Sequence, residues 1–413
     1  MFNLSSSFQG ESRGKEKKAE WRLFQAKDFQ SLMYPCFALC RILGIFPYKI
    51  NATSFEISKP YLILLIVVVC PCSIYSLIIV YNSSILEKVD MIILPQILAH
   101  NCTLVTGNFI IIVTFILTVP RMRLLQTILK ISSRLPSESY EKLSKLIHAK
   151  DIIGFFYSVG ISMLISTFPM HRLFDIYINV VVFHMDMLYV NCVCVLKACF
   201  TRMNDNLMSM KRFIANNEPR VPRLNYYNQR NPFLILELKA LKRQHLNIND
   251  AVQMLNVIFS LQLLATVAMT FSTITISLYF YILASKYVIM EMDFWMSVTF
   301  HAYFLLYMAY FFIKILLIVW ACETGKARAQ QIRTSIHDVF NVTTDEKIKD
   351  ELQLFSLQVL HCDNTFSAKG FTIDAKLLAA IVSSVSVYVI ILFQFMYISY
   401  SCVEKTANST GEI

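Results

Sequence analysis

The chain contains seven runs of apolar residues that are each long enough to cross a lipid bilayer as a helix. They fall at residues 60–81, 91–118, 152–169, 174–200, 251–283, 294–321 and 372–400. A helix rises 1.5 Å per residue, so about 20 residues span the ~30 Å hydrocarbon core. Membrane barrels would instead show alternating strands of about ten residues. The pattern predicts an all-α membrane protein with seven transmembrane helices.

The balance of residue types agrees with this class. The chain is 56% hydrophobic and 16% charged, whereas soluble domains are about 45–50% apolar and about 25% charged. The net charge of +10 could indicate nucleic-acid binding. However, the basic residues lie in the connectors between apolar runs, which is typical of cytoplasmic loops. We therefore predict a membrane as a partner and no nucleic acid.

The connectors also predict an orientation. Of the 38 Lys and Arg residues, 31 fall in residues 1–59, 119–151, 198–250 and 322–371, and four fall in the connectors on the other side. Positive charge marks the cytoplasmic side. The N-terminus is therefore predicted to be cytoplasmic, and seven spans place the C-terminus outside. Residues 401–413 would form an extracellular tail.

The N-terminal segment, residues 1–59, is polar at first and has no secretory signal pattern. Residues 31–46 are apolar but too short to span the membrane. Arg41 interrupts this stretch and Pro47 closes it. Such a segment is more often re-entrant or interfacial. We predict a re-entrant helix in the cytoplasmic leaflet.

No Gly or Pro occurs from Phe233 through Thr324, so helices there can continue without a break. Helices over residues 236–283 and 294–339 would be longer than the membrane is thick. We expect these inner extensions, including residues 198–250, to pack in the cytoplasm with residues 322–371. That region includes a helical pattern at 350–360. Together they would form a helical anchor domain.

Enzyme signatures are missing from the sequence: it has no phosphate-binding glycine loop, no zinc-protease motif and no nucleophile elbow. The eleven cysteines are scattered, and neighbouring pairs point to different helix faces. We predict a protein that is not an enzyme, with no cofactor and no metal site.

Polar and aromatic side chains in the outer halves of predicted spans two to six suggest a binding pocket. Burying such groups in lipid without partners costs free energy. One interpretation is hydrogen bonding between helices together with an interfacial aromatic belt. The alternative is a pocket, open outward, for a small organic ligand. The candidate ligand-binding residues are Gln96, His100, Tyr177, His184, Thr273, Ser277, Trp295, His301 and Tyr303.

The last span carries a narrow stripe that mixes polar and apolar groups. Ser383, Val387, Ile391 and Gln394 share one face at spacings of three or four. Such a stripe can line a water-filled path that apolar rings close by dewetting, or it can pack between neighbouring helices. Separately, Asn82 and Asn408 begin glycosylation sequons on the predicted outer side.

The same span carries a resemblance. Tyr388, five apolar residues and then Gln394 and Phe395 resemble the C-terminal signature of insect gustatory receptors, which is Thr-Tyr, five hydrophobic residues and Gln-Phe. Residues 366–374 and 43–47 are also similar to segments of that family. Val387 stands at the Thr position of the motif and removes a hydroxyl.

The resemblance implies a ligand-gated cation channel in the plasma membrane of chemosensory neurons. It would be a homotetramer, or a heterotetramer with related receptors. Residues 372–400 would line the pore with Ser383, Val387, Tyr388 and Ile391, and Phe395 would act as the gate beside Gln394. A small-molecule tastant, a sugar or a bitter compound, would open it to Na⁺, K⁺ and Ca²⁺. The alternatives are a G-protein-coupled receptor, whose N-terminus lies outside, and a transporter.

Overall fold

The computed structural model describes residues 23–51, 54–85, 94–165, 172–217, 227–287 and 293–410. The helices in these ranges are α1 Phe29–Ile42, α2 Lys59–Ile85, α3 Leu94–Ile116, α4 Thr118–Ser132, α5 Ser137–Ile165, α6 Arg172–Asn217, α7 Tyr227–Tyr287, α8 Phe294–Val342, α9 Glu346–His361 and α10 Ala375–Thr410. Two antiparallel hairpins pair β1 Tyr48–Ile50 with β2 Phe55–Ile57, and β3 Ser367–Ala368 with β4 Phe371–Thr372. The all-α fold class is confirmed.

Six helices in the described ranges are long and apolar enough to cross a membrane. They are α2, α3, α6, α7, α8 and α10, and each overlaps one of the predicted spans. The remaining predicted span, 152–169, begins inside α5. Residues 152–165 of that helix cover only about 21 Å at 1.5 Å per residue, and residues 166–169 lie outside the described part of the chain.

The prediction of long unbroken helices is confirmed. α7 contains 61 residues and α8 contains 49, which correspond to about 92 and 74 Å at 1.5 Å per residue. α7 begins at Tyr227, earlier than residue 236. α6 also continues to Asn217, well past the predicted end of its span at residue 200. All three helices therefore extend beyond the ~30 Å hydrocarbon core.

The extended ends of α6, α7 and α8 pack together with α9 at one end of the molecule, which we call the anchor end. Lys242 of α7 lies 3.0 Å from Glu351 of α9, and Lys239 lies 3.3 Å from it. The amide Nδ2 of Asn204 on α6 donates to the backbone oxygen of Arg328 on α8 at 2.9 Å. The helical pattern predicted at 350–360 lies inside α9, the helix that makes the contacts through Glu351.

The N-terminal helix α1 packs against α5 and α6, and the chain turns directly after it. The turn occurs at Leu43 and Gly44, where Gly44 adopts a φ of +74° that favours glycine. An added Cβ there would lie 3.4 Å from Val68, a residue of the α2 span. The hydroxyl of Tyr177 in α6 donates to the backbone oxygen of Leu43 at 3.0 Å. The helix ends at Ile42 rather than at residue 46, and the re-entrant position of this segment in the membrane stays a prediction.

The predicted span 91–118 is divided into α3 and α4 by a short break at Leu117. Pro120 lies in the first turn of α4 and has no N–H to donate to Ile116. After the break, α4 continues to Ser132, through residues that were expected to form a connector.

The last helix, α10, is the least enclosed of the candidate spans. Only 11% of its most apolar window is buried, compared with 94% for α6. Asp374 caps its first turn, because one carboxylate oxygen accepts from the backbone N–H of Leu377 at 3.1 Å. The helix reaches Thr410, so residues expected in an extracellular tail are helical here.

Candidate functional site

A cavity of about 850 Å³ lies between α2, α3, α5, α6, α7 and α8, at the end of the bundle opposite the anchor end. This volume falls within the usual range for small-molecule pockets. Its walls come from the α2 and α3 ends near residues 75–104, the start of α6, and the facing parts of α7 and α8. The six helices therefore meet around one partly open cavity.

Aromatic rings form one side of the cavity, mainly from α8. Tyr307 stands edge-on to Phe311 with ring centroids 5.0 Å apart, and it lies 6.3 Å from Tyr303. Behind them, Tyr281 of α7 stacks on Phe304 at 4.1 Å. Ring pairs of this kind stabilise each other beyond their area of burial, so this wall is preformed. The rings that line the cavity are Tyr75, Phe280, Phe300, Tyr303, Phe304, Tyr307, Tyr310 and Phe311.

Polar side chains of the lining come mostly from α2, α3 and α6. The central pair is His100 on α3 and Asp175 on α6, whose Nε2 and Oδ1 atoms lie 3.9 Å apart. Their side chains are 27% and 12% exposed, so they line the cavity without being sealed from it. The other polar members are Asn82, Ser83, Gln96, Thr103, Ser162, Asn179 and Ser277.

Four of the predicted ligand-binding residues line this cavity: Gln96, His100, Ser277 and Tyr303. They come from α3, α7 and α8, so helices far apart in sequence are brought together. Whether they bind a ligand remains a proposal, but their common location agrees with the predicted pocket.

The structure places the other five predicted residues elsewhere. Tyr177 bonds to Leu43, as described above. His184 is fully buried below the cavity, where its Nδ1 atom lies 2.7 Å from the backbone oxygen of Val180. Thr273 is also fully buried, and its hydroxyl has no hydrogen-bond partner among the described residues. These three side chains are correctly assigned to the helix bundle but not to the cavity wall.

The two remaining residues lie on α8. Trp295 is 77% exposed in its first turn, which fits the alternative interpretation of an interfacial aromatic belt. His301 points towards α7, and its Nδ1 atom lies 3.0 Å from the hydroxyl of Tyr281. Helix rotation explains these errors, because the sequence shows which helix a residue is on but not which face meets the cavity.

The predicted ligand-binding residues include neither Asp175 nor Asn179, and they include only Tyr303 from the aromatic wall. Asn179 lies four residues after Asp175, so both side chains share one face of α6. An acidic residue at the start of a span is a signal that could have been weighted more, because a charge there needs a partner. The aromatic residues of α8 lie within a continuous apolar run of the sequence, so no pattern marked them as lining a cavity.

Beneath the cavity, α6 and α8 are joined by a buried ion pair. The Nζ atom of Lys314 lies 3.5 Å from a carboxylate oxygen of Asp186, and both side chains are almost completely buried. The other carboxylate oxygen accepts from the hydroxyl of Thr266 on α7 at 2.8 Å. A carboxylate inside a membrane span needs a partner, and Lys314 is that partner here.

The predicted pore residues lie along α10 and are exposed in the single chain. They are Ser383, Val387, Tyr388, Ile391, Gln394 and Phe395. Tyr388 also packs edge-on against Phe271 of α7, with centroids 5.7 Å apart. Phe395 is 66% exposed. A large apolar surface of this kind needs either lipid or another chain to cover it.

The two predicted glycosylation positions lie on helices. Asn82 is on the last turns of α2 and lines the cavity. Asn408 is on α10, close to the end of the described chain. Sequons are usually modified in surface loops, so these helical positions give the prediction no further support. Among the described residues there is no cluster of His, Cys, Asp and Glu that could hold a metal.

The arrangement defines a class: a multi-pass helical membrane protein with a partly open cavity of small-molecule size and long helices that extend beyond the membrane core. The 7tm Chemosensory receptor family matches residues 33–399. The chain therefore belongs to the 7tm chemosensory receptor family.

Two relatives from Drosophila melanogaster are named as candidate gustatory receptors 28a and 28b. They are each 28% identical to the chain, over 177 and 158 residues. These matches cover 43% and 38% of this chain. The chain aligns with only 39% and 33% of the length of these relatives.

The fold is similar to a solved insect structure. The olfactory receptor OR5 from Machilis hrabei superposes with a TM-score of 0.65 at 10% identity, covering 89% of this chain and 98% of the receptor. The same receptor in complex with eugenol gives a TM-score of 0.59 at 12% identity over the same shares of both chains. At these identities the likeness concerns the fold.

Proposed function

We propose that the chain is a gustatory receptor that acts as a ligand-gated, non-selective cation channel. The ligand is a small organic tastant, a sugar or a bitter compound, which binds in the cavity between α2 and α8. Four chains, identical or from related receptors, surround a pore lined by α10. The observation that carries this proposal is the exposure of α10, a membrane-length helix with only 11% of its apolar window buried in the single chain.

The topology of the proposal follows from charge. Of the 38 basic residues, 31 belong to residues 1–59, 119–151, 198–250 and 322–371, so by the positive-inside rule the anchor end, which contains parts of the last two ranges, is cytoplasmic and the cavity faces outward. A dissolved tastant then reaches the cavity from outside the cell. Because α10 begins near the anchor end at Ala375, Gln394 and Phe395 lie in its outer half. The plasma membrane of a chemosensory neuron is the matching location.

Gating requires that the ligand bind the open state more tightly than the closed state. α8 supplies most of the aromatic wall of the cavity and also contacts the first residue of α10 through Glu323. A small movement of α8 on ligand binding can therefore be transmitted to the pore helix α10. In the closed pore four Phe395 rings exclude water, and their withdrawal exposes Gln394 to the permeating Na⁺, K⁺ and Ca²⁺.

The experiment is whole-cell recording from cells that express only this chain, with sugars, bitter alkaloids and other small nutrients applied in turn. The proposal expects a ligand-evoked cation current that persists when G-protein signalling is blocked. Phe395→Ala should raise the current without ligand, because smaller side chains close the pore less completely. Ligand transport without current would instead favour a transporter.

A matched control separates the pore from lipid-facing positions. Ile391 and Phe393 are similarly exposed on α10 in the single chain, at 37% and 40%, but they lie two residues apart, so their side chains point in nearly opposite directions at about 100° per residue. Cysteine at position 391 should make the current sensitive to a charged thiol reagent, whereas cysteine at position 393 should not. Equal sensitivity at both positions would contradict the proposed pore face.

A further inference from the structure

We propose that the ligands of this cavity are organic cations, namely protonated amines that carry an aromatic or apolar body. This inference rests on the proposed function in one respect: the binding of such an amine would open the channel. It concerns binding itself, however, and can be tested without current. The argument depends on the charge of the lining, on the distribution of its rings and on the position of Asp175.

The first observation is the charge of the lining. Asp175 is the one carboxylate among the described residues that line the cavity, and those residues include no Lys and no Arg. Its side chain is 12% exposed, so water screens its field only partly and a cation nearby interacts with it more strongly than in bulk water. His100 lies 3.9 Å away and can share the carboxylate with a ligand ammonium group. The lining therefore favours positive over negative ligands.

The second observation is the separation of polar and aromatic walls. Except for Tyr75, every ring of the lining comes from α7 or α8, whereas Asp175, His100 and Asn179 come from α6 and α3. Ring faces attract cations as well as apolar groups. An amphiphilic amine can place its ammonium group at Asp175 and its body against Phe304 and Tyr307. A sugar, which carries hydroxyls on all sides, would leave several of them against the rings.

Asp175 also has a structural role that must be separated from ligand binding. It lies in the first turn of α6, where a negative charge interacts favourably with the helix dipole. A loss of function in Asp175→Asn alone could therefore reflect a weaker helix. Asn179 provides the means to distinguish the two, because it lines the same cavity one turn deeper on the same face.

The test uses two matched pairs of probes: tryptamine with tryptophol, and phenethylamine with phenethyl alcohol. Each pair differs only in an amine or a hydroxyl. Binding to the purified full chain in detergent is measured by titration calorimetry at pH 7.4. The inference predicts that each amine binds at least about tenfold more tightly than its alcohol, a ratio that corresponds to about 1.4 kcal/mol. Asp175→Asn should remove this preference, whereas Asp175→Glu should keep it.

The double variant Asp175→Asn with Asn179→Asp moves the carboxylate by one helical turn. It should restore a preference for the amines, although it leaves no acid at the first turn of α6. Alcohols that bind as well as amines, no binding of either amine, or a preference unaffected by Asp175→Asn would each overturn the inference. Amine binding without current would overturn the channel proposal alone. Currents evoked only by neutral compounds would overturn this inference and leave the channel standing.

Discussion

A carboxylate oxygen of Glu323 accepts a hydrogen bond from the backbone N–H of Ala375 at 3.1 Å. Glu323 is on α8, whose other half forms the aromatic wall of the cavity, and Ala375 is the first residue of α10. The N–H groups of a helix's first turn lack partners within the helix, and the helix dipole favours an anion there. This bond therefore ties the helix that lines the cavity to the start of the proposed pore helix.

Glu323→Ala should weaken the communication between cavity and pore. We expect the maximal ligand-evoked current per surface receptor to fall by about fivefold or more, the lower end of typical coupling energies. Ligand affinity measured on the purified chain should change little, because the bond is far from the cavity. Thr324→Ala is the control, since among the described residues the Thr324 hydroxyl donates only within α8, to the backbone oxygens of Trp320 and Ala321. Equal losses in both variants would show that the bond has no special role.

The Asp186–Lys314 pair predicts a non-additive pattern of stability. Lys314→Met leaves an uncompensated carboxylate in the bundle, and Asp186→Asn leaves an uncompensated ammonium group. Each should lower stability by about 3–5 kcal/mol, because a buried charge has lost its partner. The double variant should recover much of this loss. Melting temperatures in detergent provide the measurement, and a double variant less stable than either single one would contradict the account.

Two glycines on α5 test the packing against α6. An added Cβ at Gly154 would overlap the ring of Phe183, whereas one at Gly160 meets nothing within 4 Å. Gly154→Ala should therefore destabilise the protein by about 1–3 kcal/mol through overpacking, and Gly160→Ala should be neutral or slightly stabilising. Thermal unfolding of both variants checks this. Similar behaviour would mean that α5 and α6 are not in close contact at this level.

Glu351 predicts a pH dependence at the anchor end. Hydrogen bonds from Lys242 and then Lys239 hold the pKa of this carboxyl below its ordinary value. A lowered folded-state pKa means that the carboxylate stabilises the fold above its unfolded pKa, about 4.3 for Glu. That contribution is lost as the pH falls through the folded pKa. Glu351→Gln should therefore lower the melting temperature at pH 7, and its effect should shrink as the pH falls below the unfolded pKa and vanish below the folded pKa.

The control for this prediction is Glu346 on the same helix. It pairs with Lys349 at 3.0 Å but its side chain is 80% exposed, and exposed pairs contribute little to stability. Glu346→Gln should have a smaller effect than Glu351→Gln at pH 7, because beyond this weak pair it loses only the interaction of a first-turn charge with the helix dipole. A larger loss for Glu346→Gln than for Glu351→Gln would contradict the assignment of the α7–α9 contact.

The sequence predicted the helices well because lipid imposes a simple rule on length and polarity. The long helices α7 and α8 follow from the absence of Gly and Pro between Phe233 and Thr324. Hairpins such as β1–β2 left no signal because their strands contain only three residues. The break at Leu117 could have been expected from Pro120.

The cavity was harder to predict than the helices. The sequence pointed to Gln96, His100, Ser277 and Tyr303 because a polar side chain inside a membrane span costs free energy unless it has a partner or a function. Tyr303 and Tyr307 both line the cavity while His301 bonds to Tyr281, and no sequence pattern separates these neighbours. The rotation of α8 that distinguishes them is set by packing against α7, through pairs such as Tyr281 and Phe304.

The most direct test of the channel proposal is single-channel recording from liposomes that contain only the purified chain. An amine found by the binding experiment, or any compound active in whole cells, is added on the cavity side. The account predicts discrete ligand-evoked openings that conduct Na⁺ and K⁺, with more frequent openings without ligand in Phe395→Ala. Binding of the ligand to correctly inserted chains without any openings would contradict the claim that this chain alone forms a ligand-gated channel.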